Sequence, residues 1–211
     1  MTHPQVTGIV LAGGGSTRFG GDKLATIVEG EPLLHRAIRA VASVADEVIV
    51  VIGADRPEPS LPSDLGIPAV VTRDAVPGGG PLVGLAAGLA VASRPIALLV
   101  GGDQPSLRQA ILAELGRRLD LGRALDAGGE AAAPDVVALD EDGVLRPLPA
   151  ALRVATVGPA AAAAVAEGSR SLRALFDRLR VEVVEPTAWR ALDPAGDSLR
   201  DVDTLADLPP G

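Results

Sequence analysis

Predominantly apolar runs of four to six residues alternate, along the first half of this chain, with segments whose apolar positions recur at helical spacing. The runs are Val6–Leu11, Val48–Ile52, Ala69–Thr72 and Ile96–Val100, rich in β-branched and aliphatic side chains. They predict strands buried on both faces, the pattern of a parallel sheet. Between them Leu33, Leu34, Ala37, Ile38 and Val41, then Leu82, Leu85, Leu89 and Ala92, then Leu107, Ile111, Leu115 and Leu119 mark three helices, each with one apolar stripe. Pro32 fits the first turn of the first helix. Leu24–Val28 reads as a short extended piece closed by Glu29-Gly30-Glu31-Pro32, and 53–66 as a loop. Alternating strand and helix predicts right-handed βαβ units. The expected fold is therefore α/β, three-layered, with a mostly parallel sheet and helices on both faces. Loops after strand C-termini then converge on one edge, where such sheets bind ligands.

The second half is less regular. Residues 124–130 read as a loop. Ala132–Leu139 and Val144–Arg153 read as strands around the Asp140-Glu141-Asp142-Gly143 turn, with Pro147 and Pro149 marking an edge or an irregular segment. Pro159–Ala166 and Leu172–Leu179 predict helices, Val181–Val184 a strand and Leu199–Val202 a last short strand. No repeat and no long linker interrupts the chain. The expectation is one domain over residues 1–211, with a regular half at about 5–121 and a less regular half at about 122–208.

Composition narrows the chemistry. Aromatic residues make up only 1% of the 211 residues, so a core must be built from Ala, Val, Leu and Ile. Aromatic stacking platforms for single-stranded nucleic acid are excluded with them. The net charge of −8 argues against non-specific polyanion binding. Without cysteine there is no disulfide, thiolate metal site or cysteine nucleophile. The start of the chain lacks a charged-then-apolar signal pattern, and no apolar run is long enough to span a bilayer. The expectation is a cytoplasmic protein with neither nucleic acid nor membrane as partner.

Against that acidic background the cations of Leu11–Lys23 stand out. Five glycines accompany Arg18 and Lys23 directly after the first apolar run. Glycines let backbone N–H groups approach an anion, and the two cations add full positive charge. The stretch fails the Walker A pattern, because Gly21 occupies the lysine position. It also fails the dinucleotide fingerprint, because Arg18 stands where the third glycine belongs.

The stretch does resemble the nucleotidyltransferase loop L-A-G-G-x-x-x-R-x-G-x-D-K, here Leu11, Ala12, Gly13, Gly14, Arg18, Gly20, Asp22 and Lys23. Further segments resemble the molybdenum cofactor guanylyltransferases in order: Gly80-Pro81-Leu82-Val83-Gly84, Gly102-Asp103-Gln104-Pro105, Arg170-Ser171-Leu172 and Asp201-Val202-Asp203-Thr204. Two departures stand in the pattern. Gly53 takes a place where that family often has Asn, and the Asp201/Asp203 pair is closer to cytidylyl and sugar-phosphate relatives.

The resemblance implies a nucleotide-diphospho-sugar transferase fold and transfer of GMP from GTP to the phosphate of molybdopterin, with Mg²⁺ as cofactor and pyrophosphate released. Other proteins of molybdenum cofactor biosynthesis are the implied partners. The same resemblance makes about 5–121 the nucleotide-binding half and about 122–208 the acceptor-binding half, and assigns catalysis to Arg18, Lys23 and Asp103. Nucleotide binding falls to Leu11, Ala12, Gly13, Gly14, Lys23, Asp74, Gly80, Pro81, Gly84 and Asp103. Asp103 and Asp203 are the metal ligands, and Arg170 holds the acceptor. These residue types suit the reaction, since the nucleophile is already an anion and the barrier is met by positioning and charge stabilisation. Plainer roles stay open: Asp103 as a helix cap, Asp74 as a turn residue, Asp203 as a cap, and Arg170 as a solvated charge. Two other functions also stay open. One is a cytidylyl- or sugar-1-phosphate nucleotidylyltransferase, the other a catalytically inactive nucleotide-binding regulator.

Overall fold

A computed structural model describes residues 5–13, 23–126, 133–202, 204 and 207. Its centre is a seven-stranded sheet. In chain order the strands are β1 (Val6–Leu11), β4 (Glu47–Ile52), β5 (Ala69–Arg73), β6 (Ile96–Gly101), β7 (Val136–Glu141), β8 (Val144–Arg153) and β9 (Val181–Val184). Two-residue strands β2 (Ile27–Val28) and β3 (Glu31–Pro32) form a separate small ribbon. Across the sheet the order is β5-β4-β1-β6-β8-β7-β9. Strands β5, β4, β1 and β6 are parallel, β8 runs antiparallel to both its neighbours, and β9 is parallel to β7. The mostly parallel α/β architecture is thus as the hydrophobic pattern predicts.

Period-two alternation within each strand divides the core. On one face Val10, Val50, Ile52, Leu98 and Val100 pack with α1 (Leu33–Ala42) and α3 (Gln109–Asp126). On the other, Ile9, Ile49, Val51, Ala97 and Leu99 meet α2 (Pro81–Val91), α4 (Val154–Ala166) and α5 (Leu172–Phe176). Within the sheet Ile9 of β1 sits opposite Ile49 on one side and Leu99 on the other, and the helices of the crossovers bury both faces of the strand. Helix α2 is apolar nearly all round, because α4 covers the side that the sheet does not.

Several boundaries differ from the sequence pattern. Lys23–Ala25 is a 3₁₀ turn, so the extended piece shrinks to Ile27–Val28. Pro32 is the N-cap of α1, not a residue of its first turn. Helix α3 starts at Gln109, beyond Leu107, and continues to Asp126 into the expected loop; residues 127–130 of that loop lie outside the described residues. Helix α4 begins at Val154, placing Pro159 inside it. The expected last strand at Leu199–Val202 is instead a 3₁₀ turn at Asp197–Leu199. There the buried Asp193 carboxylate accepts the N–H groups of Asp197 (3.2 Å) and Ser198 (2.8 Å). Trp189, in the short helix α6 (Pro186–Trp189), is buried and donates its indole N–H to the Asp140 carbonyl at 2.7 Å.

Pro147 and Pro149 do interrupt pairing, but β8 is not an edge strand. Ala138 of β7 faces Ala150, whereas the next residue, Leu139, faces Arg146. One step along β7 therefore spans four along β8, and residues 147–149 leave the ladder. Two prolines, neither with an N–H to donate, explain why the break falls there. Among the described residues no helix is long and apolar enough to cross a membrane.

Candidate active site

The chain crosses from β1 leftward to β4 through α1, and from β5 rightward to β6 through α2. Because it reverses direction, the two helices cover opposite faces, and a crevice opens between the C-terminal ends of β1 and β6. The loops that follow the strands meet there. The Ala12 N–H donates to the Val51 carbonyl (2.7 Å), the Gly102 N–H to Leu11 (2.9 Å) and the Asp74 N–H to Ile52 (2.9 Å). These bonds fix the three loops to one another before any ligand is considered.

Their meeting forms a cleft of about 210 Å³, with Leu11, Val51 and Gly84 at its base. Asp74 and Gly13 stand at one end, Gly78 to Pro81 along one flank, and Asp103 with Leu148 at the other end. A smaller recess of about 120 Å³ behind Ala12 is lined by side chains such as Leu24, Pro32, Ile52 and Pro59. It carries no carboxylate and no glycine turn, so the cleft is the candidate site.

Asp74 is buried, and its Oδ1 accepts the Ala54 N–H at 3.1 Å. Oδ2 faces Gly13: a β-carbon there would lie 3.6 Å from it and 3.4 Å from the Gly53 nitrogen. The main chain of Gly13 and the carboxylate of Asp74 thus form a narrow polar end suited to the edge of a planar ring.

Gly80 has φ +81° and caps α2 without a side chain, with Pro81 at the first helical position. The left-handed conformation favours glycine, and a β-carbon would also approach the Arg170 carbonyl to 3.1 Å. That carbonyl accepts the Leu82 N–H at 3.2 Å, and the Arg170 guanidinium donates to Gly78 O at 2.8 Å. Arg170 is therefore built into the glycine loop from the far half of the chain.

At the opposite end, Asp103 is held through its neighbours. The Gln104 amide oxygen accepts the Gly101 N–H (2.8 Å), and its nitrogen donates to Ser198 O (3.3 Å); the side chain is 1% exposed. The Asp103 carbonyl accepts the Val202 N–H at 3.0 Å, which ties Val202 to the site. A β-carbon on Gly101 would sit 2.6 Å from Asp103 Oδ1, so only glycine lets this carboxylate fold back over the strand end. Lys23 Nζ donates to Asp103 Oδ2 at 2.9 Å.

Of the residues singled out from the sequence, Leu11, Gly13, Asp74, Gly80, Pro81, Gly84 and Asp103 line one cleft, with Lys23 at its end. Ala12 lines the adjoining recess. Gly14, Arg18 and Asp203 lie outside the described residues. Gln104 and Leu148 were not singled out as site residues; the Pro-Leu-Pro signal within a strand pattern could have drawn notice to Leu148.

The profile of the MobA-like NTP transferase domain matches residues 8–183. The chain belongs to the MobA-like NTP transferase family. It is 32% identical over 209 residues to a probable molybdenum cofactor guanylyltransferase of Chloroflexus aggregans, covering 98% of this chain and 93% of the relative. To the molybdenum cofactor guanylyltransferase of Burkholderia vietnamiensis it is 34% identical over 187 residues, 86% of each chain. Among solved structures, molybdopterin-guanine dinucleotide biosynthesis protein A of Archaeoglobus fulgidus superposes with TM-score 0.70 at 19% identity, covering 96% of this chain and 94% of that one. A 4-diphosphocytidyl-2C-methyl-D-erythritol synthase of Anaerococcus prevotii gives 0.61 at 15% identity, covering 98% and 96%. These likenesses establish the nucleotide-diphospho-sugar transferase fold. As a MobA-like NTP transferase the protein is a nucleotidyltransferase, and its cleft holds the Lys23–Asp103 ion pair at one end.

Proposed function

We propose that this enzyme transfers GMP from GTP to the phosphate of molybdopterin and releases pyrophosphate. The observation that carries the reading is the Lys23–Asp103 pair, 2.9 Å apart at one end of a glycine-rich cleft whose other end is the Asp74 carboxylate. A nucleotide laid along that cleft has its base at Asp74 and the main chain of Leu11–Gly13, and its phosphates at Lys23 and Asp103. The guanylyltransferase names of the relatives support guanine as that base.

Asp103 offers a hard carboxylate oxygen, and among the described residues no three acidic or histidine side chains cluster. A single carboxylate, completed by phosphate oxygens and water, is how Mg²⁺ is commonly held in nucleotide sites. Asp203 is the second carboxylate proposed for it. Mg²⁺, when bound, neutralises part of the triphosphate charge. Lys23 leaves Asp103 for the α-phosphate and the departing oxygen, and Arg18 with the loop amides holds the β- and γ-phosphates. No general base is required, because the attacking phosphate oxygen is already anionic. We further read residues 1–211 as one domain acting in the cytoplasm beside other proteins of molybdenum cofactor biosynthesis.

The test is pyrophosphate release with Mg²⁺, each nucleoside triphosphate in turn, and molybdopterin or a sugar 1-phosphate as acceptor. GTP with molybdopterin is the expected active pair. Turnover of CTP but not GTP overturns the base, turnover of a sugar phosphate but not molybdopterin overturns the acceptor, and GTP binding without any turnover favours a regulator.

A further inference from the structure

Leu148 is the one half-buried aliphatic side chain that the break in β8 delivers to the cleft. Pro147 and Pro149 flank it, and residues 147–149 leave the ladder between β7 and β8. Both prolines have fixed φ and no N–H, so the segment projects in a defined shape. Below it, pairing of Ala150 to Arg153 with β6 anchors the strand.

The cleft reads in the order of the strands beneath it: Asp74 after β5, Val51 on β4, Leu11 on β1, Asp103 after β6, then Leu148 on β8. The base end and the carboxylate end are thus followed by an apolar wall beyond the reacting phosphate. Lys23, paired with Asp103, and Leu148, which lines the same cleft as Asp103, belong to segments that pack on opposite faces of the sheet. Leu24, next to Lys23, packs with the α1/α3 cluster, whereas Leu148 packs with the α2/α4/α5 cluster. Displacement at phosphorus places entering and leaving oxygens in line. Pyrophosphate held on the Lys23 side leaves the Leu148 side for the acceptor.

Resting on the nucleotidyl-transfer reading above, we propose that Leu148 forms the wall of the acceptor subsite. It selects a phosphate monoester carried on a ring framework with an apolar face over one carried on a hydroxyl-rich sugar. A polyhydroxylated carrier pressed against leucine loses hydrogen bonds to water without replacement, while a ring face loses none.

The experiment compares wild type, Leu148→Asn and Leu148→Met, varying molybdopterin at saturating GTP and then GTP at saturating molybdopterin. Asparagine keeps the approximate shape but makes the wall polar; methionine keeps it apolar. Leu148→Asn is expected to raise the KM for molybdopterin about tenfold, with the KM for GTP changed less than about twofold, while Leu148→Met stays close to wild type. The preference of Leu148→Asn for molybdopterin over a sugar 1-phosphate, as a ratio of kcat/KM, falls in step. An unchanged KM for molybdopterin in Leu148→Asn, or a KM for GTP that rises equally, overturns the assignment. A wild type that turns over no molybdopterin overturns the underlying function and this inference with it, an outcome visible before any variant is made.

Discussion

Lys23 and Asp103, eighty residues apart in sequence, form an ion pair at 2.9 Å, with the lysine side chain 12% exposed and the aspartate 33%. The pair is part-buried, and the desolvation of its charges offsets most of their attraction, which leaves a net contribution to folding on the order of 1 kcal/mol. Its members are expected to matter far more to turnover. Lys23→Ala and Asp103→Asn should each lower kcat by about 10²-fold or more, as for loss of one preorganised charge. Their thermal midpoints should stay within a few degrees of wild type, on the order of the shift for 1 kcal/mol in a chain of this size. Pyrophosphate release and thermal unfolding on the same preparations check both halves of the expectation. Near-normal turnover in either variant removes that residue from the proposed machinery.

Gly80→Ala is expected to weaken nucleotide binding by displacing the glycine flank of the cleft. The substitution meets a φ of +81° and the Arg170 carbonyl at 3.1 Å. A β-carbon in left-handed backbone costs about 1–2 kcal/mol, and relief of the contact moves the start of α2 and Pro81. Calorimetric titration with GTP should show the loss, and Gly66→Ala is the control. Gly66 also has positive φ (+71°), but nothing stands near its missing side chain and it does not line the cleft. Equal losses in both variants would make the effect one of general strain.

Replacing Gln104 by Leu leaves the Gly101 N–H and the Ser198 carbonyl without the partners they have in the fold. Both bonds are buried, so a cost of about 1–3 kcal/mol is expected in denaturant unfolding. Because Gly101 and Gln104 bracket Asp103, kcat should fall as well, while the KM for GTP, governed by the Asp74 end, changes less. A variant that loses stability but keeps full kcat would separate Gln104 from Asp103.

Acid stability should depend on Asp135. Burial opposes ionisation of this carboxyl. The Arg180 side chain and N–H outweigh that, aided by the Thr156 hydroxyl and the guanidinium charge, and hold its pKa below the usual aspartate value. A depressed pKa in the folded state means that the unfolded chain takes up the proton first as pH falls. The stabilisation is complete above the ordinary aspartate value near 3.9 and is lost as pH drops below it, through the folded-state pKa. Asp135→Asn should therefore lower the melting temperature at neutral pH and flatten its decline in acid. Melting curves between about pH 2 and pH 6 span that window. A variant with the same acid slope as wild type would assign the slope to other carboxylates, such as Glu47. Glu47 is likewise lowered, against its burial, by the Thr7 and Ser93 hydrogen bonds and by Arg94.

The parallel half of the sheet was readable because β1, β4 and β6 are buried on both faces and so carry mostly apolar residues, while the edge strand β5 is short, half-exposed and still rich in β-branched residues. The chemistry-bearing loops were readable for a related reason, since each follows one of those strands and topology then brings them together. What sequence concealed depends on long-range partners. Pro159 sits inside α4, where a local reading starts the helix. Arg170 looks like a free cation, yet its carbonyl and guanidinium both bind the glycine loop of the other half. Leu148 is an ordinary strand leucine until the pairing of β7 with β8 shows that its segment has left the ladder. Gln104 reads as one letter of a motif, while its buried bonds reach across to Ser198.

The bond from Leu82 N–H to the Arg170 carbonyl also bears on how the molecule comes into being. During synthesis β1, β4, β5, α2 and β6 emerge first, yet β6 keeps a bare edge until β8 is made, and the glycine turn lacks its brace until residue 170 follows. Contacts closed over so many residues slow folding and leave strand edges exposed while they wait. A nascent chain halted before α4 ends therefore carries every described residue that lines the cleft while its glycine turn still lacks the brace from Arg170. That flank of the cleft is completed only when the second half of the chain docks onto the first.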